Sequence, residues 1–311
     1  MNEILFLLFA FFTVFLSIKI SYYVDYLSKN SRISGAFLAG IVLAGVTSLP
    51  EGVTCLSAIF VDNYSLAVGD ILGSNIFNIF MICVFDLFYI KKFIFFNMKK
   101  SHNLILVLLL INYFVLYLFV GKSSFLNVAI PTLVIFITYF YYLFRLSFES
   151  DSVKINDTLG NNVLLKFVIT VILMIFSSIV LTIIVNNLAL LHPYFSSSFL
   201  GAIFLGITTS LPEVITCYTL INIGSYDLAF DDIIGSNFFN LLILAVADLL
   251  LRGLSIYSVI DMGVNTLVIL GFIFTLIIFV YFNKKIKNMY GFFSFIISIM
   301  YLGYWIINFL G

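Results

Sequence analysis

The chain has 311 residues, of which 63% are hydrophobic and only 10% are charged. Soluble globular domains average about 45–50% apolar and about 25% charged residues, so this composition excludes a water-soluble domain and indicates a chain that lies mostly in lipid. The formal net charge of zero argues against nucleic acid or any strongly charged soluble partner.

Long apolar runs follow one another along the sequence. A membrane-spanning helix needs about 20 mostly apolar residues, and the opening residues lack the positive region of a cleaved signal peptide, so the first run is expected to be a retained span. Ten spans are predicted, at residues 3–20, 33–60, 66–90, 102–120, 125–146, 164–188, 197–222, 228–251, 262–282 and 290–310. The hydrophilic stretch 147–163 divides them into two five-helix halves, 1–146 and 164–311. The predicted fold class is an all-α integral membrane protein of the cell membrane.

Basic residues indicate how these spans are oriented. With the amino terminus outside, thirteen of the fifteen Lys and Arg residues fall in inside loops or helix ends, and only Lys122 and Arg252 fall outside. Because cytoplasmic loops collect Lys and Arg, both termini are predicted to face outward, and the linker 147–163 is predicted to be cytoplasmic.

The two halves contain the same two motifs in the same order. Residues 43–55 read LAGVTSLPEGVTC and residues 205–217 read LGITTSLPEVITC. Residues 70–87 read DILGSNIFNIFMICVFDL and residues 232–249 read DIIGSNFFNLLILAVADL. Every matched pair is 162 residues apart, as Glu51 and Glu213 are, which indicates a duplication. An odd number of spans per copy makes the copies cross the membrane in opposite directions, the design of secondary transporters rather than channels.

The first motif places Glu51 and Glu213 in the middle of long apolar spans. A carboxylate at that depth costs about 3 kcal/mol on insertion scales, so an ion or proton site is the default interpretation. The alternative is a buried glutamate that is hydrogen-bonded to nearby backbone.

A proline precedes each of these glutamates. Pro50 and Pro212 each remove an amide donor and are expected to free the carbonyls of Val46 and Thr208. Neighbouring hydroxyls add further oxygen atoms, on Thr47, Ser48, Thr209 and Ser210. Na+ and Ca2+ prefer hard oxygen ligands of this kind, although an ordinary proline kink solvated by hydroxyls would look the same.

The second motif places hydroxyls and amides on the following span. Ser74 and Asn78 are four residues apart, as are Ser236 and Asn240, so each pair shares one helix face. The adjacent Asn75 and Asn237 point elsewhere and are expected to bond to neighbouring helices.

The segments GVTSLPE, TTSLPE and the two GSNxFN stretches resemble the alpha-repeats of the sodium/calcium exchanger family, the Ca2+/cation antiporters. The resemblance covers roughly residues 33–90 and 197–251. It implies an antiporter that exchanges Ca2+ for Na+ by alternating access, with inorganic cations and lipid as its partners and with no cofactor. It also implies a set of metal ligands: Glu51, Glu213, Asn78, Asn240, Thr47, Ser48, Ser74, Thr209, Ser210 and Ser236, with carbonyls of Ala44 and Gly206.

This chain departs from the family pattern at one of these positions. Well-studied prokaryotic members of the family carry an aspartate where this chain has Asn240, so its centre holds two formal negative charges rather than three. Two carboxylates balance one Ca2+, two Na+ or two protons. A Ca2+/H+ antiporter that uses the same glutamate pair is therefore the alternative.

Four aspartates flank the second motif, each eight residues, or about 12 Å of helix, from the nearer of Asn78 and Asn240. That is too far for direct contact with a central ion, and we expect them near aqueous mouths. Asp86 and Asp248 are interpreted as helix-end charges, beside Lys91 and Arg252 respectively. Two interpretations of Asp70 and Asp232 remain open: they are helix-end charges, or they are acids that attract cations.

Membrane-embedded aspartates also raise an alternative from another class, an intramembrane aspartyl protease. The Gly-x-Gly-Asp pattern expected there is Ala67-Val68-Gly69-Asp70 in this chain, and Asp232 departs from it further.

Overall fold

The computed structural model of the protein describes residues 2–29, 44–89, 102–122, 128–147, 161–192, 194–222, 224, 226–251, 254–258, 260–284 and 291–310. Within these ranges the regular secondary structure is helical and includes no strand. The α-helices are α1 (Asn2–Lys29), α2 (Ala44–Thr47), α3 (Leu49–Phe60), α4 (Tyr64–Phe88), α5 (His102–Phe119), α6 (Ile130–Ser147), α7 (Asn161–Leu191), α8 (Ser197–Leu200), α9 (Gly206–Asn222), α10 (Tyr226–Leu250), α11 (Gly263–Lys284) and α12 (Phe292–Leu310). A π-helical segment, π1 (Gly201–Leu205), joins α8 to α9.

The helices follow the predicted spans. Seven helices in the described part of the chain are long and apolar enough to cross a membrane. The predicted span 197–222 coincides with the continuous run of α8, π1 and α9, and most other predicted ends lie within a few residues of the observed ones. The all-α class is confirmed. The first part of the predicted span 33–60 and most of the linker 147–163 lie outside the described residues, so the count of ten spans stays a prediction.

Helix α4 lies at the centre of the protein and packs against α3, α9, α10, α11 and α12. Every residue from 66 to 79 is buried, polar and apolar alike. The outer helices expose large apolar side chains instead, such as Phe11, Ile137 and Ile172. Lipid tails are as apolar as leucine, so these outward faces are solvated by the bilayer, and the polar residues are concentrated inside.

Small residues bring α4 into backbone contact with the α8–π1 segment. A Cβ atom added to Gly73 would overlap the backbone of Ala202, and one added to Gly201 would overlap the carbonyl of Leu66. Small residues at a helix interface allow such close approach in a membrane. This contact places the first turn of α9 directly against the polar middle of α4.

Asp86 and Asp248 are not exposed helix-end charges, contrary to our interpretation of the sequence. Both are buried. Asp86 accepts a hydrogen bond from the hydroxyl of Ser294 (2.7 Å), and Asp248 accepts one from that of Thr132 (2.6 Å). Lys91 and Arg252, expected beside them, lie outside the described residues.

The hydroxyl donors of these two bonds are themselves 162 residues apart, like the aspartates they contact. The last helix of each half therefore bonds to the central helix of the other half, since α12 contacts α4 and α6 contacts α10. The two buried acids therefore join the halves through equivalent hydrogen bonds.

Candidate cation site

The first motif forms a broken helix. Helix α2 ends at Thr47, Ser48 lies in a turn, and α3 begins at Leu49 with Pro50 in its first turn. Proline is tolerated at this position because its missing N–H would have no partner inside the helix. The break places Ser48 and Glu51 together at the start of α3.

The second motif is irregular in a different place. Helix α9 continues through Pro212. The irregular backbone is π1, whose last residue, Leu205, directly precedes α9. Single-turn π segments inside α-helices are frequent at functional sites. In the first half the irregular backbone therefore lies next to Pro50, whereas in the second half it lies more than a turn before Pro212.

The two glutamates meet at the interface of the halves and bond to each other's motif. The hydroxyl of Ser210 donates to Oε1 of Glu51 (2.9 Å), and that of Ser48 donates to Oε1 of Glu213 (3.2 Å). All four residues are fully buried. Each carboxylate is thus oriented by a serine from the opposite half.

The second motif lies against the same part of α9. The hydroxyl of Ser74 donates to the carbonyl oxygen of Gly206 (3.2 Å). Gly206 and Ser210 are four residues apart and share one face of α9, so Ser74 and Glu51 both contact that face. Asn78 follows Ser74 by one turn of α4. Of the predicted ligands of the first half, Ser74 and Glu51 therefore lie against the same face of α9.

Asn75 and Asn237 bond to the neighbouring central helix, as predicted. The side-chain amide of Asn75 donates to the carbonyl oxygen of residue 237, and that of Asn237 donates to the carbonyl oxygen of residue 75, both at 3.0 Å. Their side-chain oxygens accept from the amides of Asn240 and Asn78, again at 3.0 Å. Four reciprocal bonds therefore join the middles of α4 and α10.

Several oxygen atoms in this region have no hydrogen-bond donor among the described residues. They are Oε2 of Glu51, Oε2 of Glu213, Oδ1 of Asn78, Oδ1 of Asn240 and Oγ of Ser236. Buried polar atoms are nearly always paired, so a cluster of unpaired oxygens needs an explanation. Carboxylate, amide and hydroxyl oxygens are the ligands of Na+ and Ca2+, and a bound hard cation is the kind of partner that would satisfy such atoms. No three His, Cys, Asp or Glu side chains of the described residues come together, which leaves amides and hydroxyls to complete any coordination.

The other predicted ligands are placed as follows. Thr209 is buried, donates to the carbonyl of Leu205 (3.0 Å) and lies beside Glu51. Thr47 is buried at the end of α2, and Ala44 is the first residue of that short helix.

Asp70 does not lie at an aqueous mouth. It is fully buried, accepts a hydrogen bond from the hydroxyl of Thr54, and lies in the part of α4 that the α8–π1 segment covers. Asp232 is 8% exposed and follows the half-exposed Asp231, which pairs with His102 (2.8 Å). The sequence did not indicate that packing of the other half would cover Asp70.

The chain is similar to known proteins along most of its length. The family model described as "Sodium/calcium exchanger protein" matches residues 3–146 and 162–310, nearly the whole chain. The inner membrane protein YrbG of Escherichia coli (strain K12) is 29% identical over 209 residues, which are 63% of this chain and 63% of that protein.

Solved structures share the fold over nearly the full length. The sodium-calcium exchanger NCX_Mj has 20% sequence identity and a TM-score of 0.62, with 97% of this chain and 98% of that chain covered. YfkE has 15% identity and a TM-score of 0.71, covering 100% and 93% of the two chains. The H+/Ca2+ exchanger CAX has 14% identity and a TM-score of 0.65, covering 99% and 88%.

Proposed function

The chain belongs to the sodium/calcium exchanger family, and on that premise we propose that it exchanges Ca2+ for Na+ across the membrane by alternating access. It is a multi-pass membrane protein, and its family consists of secondary transporters. The alternative of an aspartyl protease is therefore wrong. The observation that carries the proposal is the reciprocal contact in which Glu51 and Glu213 are each held by a serine of the opposite half, with their second oxygens left for a cation.

Charge balance explains why such a site exchanges ions. Two buried carboxylates without a counterion are expensive to close off from water, because an unpaired charge at low dielectric costs several kcal/mol or more. One Ca2+ or two monovalent ions neutralise the pair and remove that cost. The loaded site can therefore close and reopen on the other side, whereas the ion-free site stays open, and the transporter exchanges rather than leaks.

The identity of the coupling ion has a second candidate. Asn240 leaves two formal charges at the centre, which two protons would also neutralise, and the H+/Ca2+ exchanger CAX has the same fold. Ca2+ for H+ is therefore the alternative exchange at the same glutamate pair.

Orientation and domain organisation form part of the proposal. Both termini face outward, and residues 147–163 join the two halves on the cytoplasmic side. The strong bias of Lys and Arg toward one side of the predicted topology supports this arrangement.

Uptake of 45Ca2+ into proteoliposomes under separately imposed Na+ and H+ gradients tests the proposal. We expect the Na+ gradient to drive uptake, and we expect Glu51→Gln and Glu213→Gln each to abolish it. Glu149→Gln, a glutamate of the predicted linker, is the matched control and should behave like the native protein. Uptake driven only by the H+ gradient would favour the alternative exchange, and normal uptake in both glutamate variants would refute the site.

A further inference from the structure

The contact between α4 and α10 is made by equivalent residues of the two halves. Asn75 and Asn237 are 162 residues apart, both are buried, and each donates its amide to the other's backbone carbonyl at 3.0 Å. Asn75 also reaches the hydroxyl of the fully buried Tyr113 (3.2 Å). The amide nitrogen of each side chain is thereby committed, and its oxygen must face the next turn.

The side-chain oxygens of Asn75 and Asn237 determine which atoms Asn240 and Asn78, one turn further along, can offer to a ligand. Oδ1 of Asn75 accepts from the amide of Asn240, and Oδ1 of Asn237 accepts from the amide of Asn78. An asparagine side chain has one donor end and one acceptor end. With their nitrogens used in this way, Asn78 and Asn240 are left with Oδ1, and in both residues that oxygen has no donor among the described residues.

We propose that Asn75 and Asn237 are positioning residues that turn the carbonyl oxygens of Asn240 and Asn78 toward the cation, and that they select an amide over a carboxylate at those two positions. The positioning role rests on the proposed function. The selection rests only on the hydrogen bonds.

Selection of an amide at position 240 follows from the direction of its hydrogen bond, in which residue 240 is the donor and Asn75 the acceptor. A carboxylate at position 240 has no proton to donate, so it would set two acceptor oxygens against each other at the 3.0 Å that the amide now spans. Turning Asn75 around to offer its nitrogen would break its bonds to the residue 237 carbonyl and to Tyr113. The arrangement therefore keeps the formal charge of the centre at two.

A double-mutant cycle in melting temperature, measured in detergent without Ca2+, tests the selection. The cycle combines Asn240→Asp with Asn75→Ala. We expect Asn240→Asp to destabilise the native background more than the Asn75→Ala background, because alanine removes the opposing acceptor. If the losses of melting temperature in the two single variants simply add in the double variant, the inference is overturned. The pair Asn78→Asp and Asn237→Ala makes the same test in the other half if Asn75→Ala does not fold.

The Ca2+ dependence of uptake tests positioning. Asn237→Ala should raise the Ca2+ concentration for half-maximal uptake by about 10- to 100-fold, the range typical when a residue that orients a metal ligand is lost, with a smaller effect on maximal rate. Asn112→Ala is the matched control, since Asn112 is a buried amide that accepts from Thr138 on another helix pair, and half-saturation there should not change. Equal shifts in both variants would overturn positioning. If the native protein takes up no Ca2+, the proposed function fails, and the melting cycle still decides the selection.

Discussion

The two serine–glutamate bonds allow a quantitative prediction. The bond from Ser210 to Glu51 is 2.9 Å long and the bond from Ser48 to Glu213 is 3.2 Å, while hydroxyl donors usually lie 2.5–3.0 Å from their acceptors. A hydrogen bond to a charged group contributes about 1.5–3 kcal/mol, and each 1.4 kcal/mol is about tenfold in binding. We therefore expect Ser210→Ala to weaken Ca2+ binding by up to about 100-fold, and Ser48→Ala, which removes the longer bond, by about tenfold.

The assay is the Ca2+ concentration dependence of initial 45Ca2+ uptake into proteoliposomes, with Ca2+-induced thermal stabilisation in detergent as an independent measure of binding. Ser57→Ala is the matched control, since Ser57 lies on α3 but donates to the carbonyl of Val53 in its own helix. Unchanged affinity in both site variants would show that the serines do not orient the carboxylates. An effect no larger than that of the control would refute the reasoning equally.

Three further predictions concern stability, packing and topology. Ser294→Ala removes the hydrogen-bond donor to buried Asp86 and should lower the free energy of unfolding by about 1.5–3 kcal/mol. Thermal melting measures that loss, and uptake should show an unchanged Ca2+ affinity. A shift in affinity would instead give Asp86 a role in binding. Gly73→Ala should cost about 1–3 kcal/mol by overpacking, whereas Gly303→Ala, where a Cβ atom meets nothing within 4 Å, should be nearly neutral in the same melting assay. Ser152→Cys should react with a membrane-impermeant maleimide only from the cytoplasmic side, because the bias of Lys and Arg predicts that the linker is cytoplasmic. The native cysteines are buried and should not react. Labelling from outside would show that the predicted orientation is the wrong way round.

Hydropathy was sufficient to predict most of the helices. A backbone in lipid must satisfy its own hydrogen bonds, so a long apolar run has almost no alternative to a helix. The predicted run 197–222 was correct to the residue for that reason. The π segment inside it was not predicted; it begins at Gly201, which packs against α4 in a contact that local composition does not reveal.

The part of the site that the internal repeat marks could be predicted from the sequence. Glu51 and Glu213 were identified from their equivalent positions in apolar spans, and the structure brings them together. Hydrogen-bond partners across the halves were not predictable, since spacing along one helix does not determine which hydroxyl of another helix approaches it. One signal was available for Asp86, because its donor Ser294 and the equivalent Thr132 are both hydroxyl residues at the repeat offset.

The contact between Asn75 and Asn237 joins a residue to its own counterpart, so it lies on the axis that relates the halves. In transporters of this design, one half rocks against the other around a fixed site. For the exchange proposed above, we therefore expect the bonds between Asn75 and Asn237 to persist in both facings of the protein. The contact of Gly73 with π1 joins segments that are not equivalent, and we expect it to change.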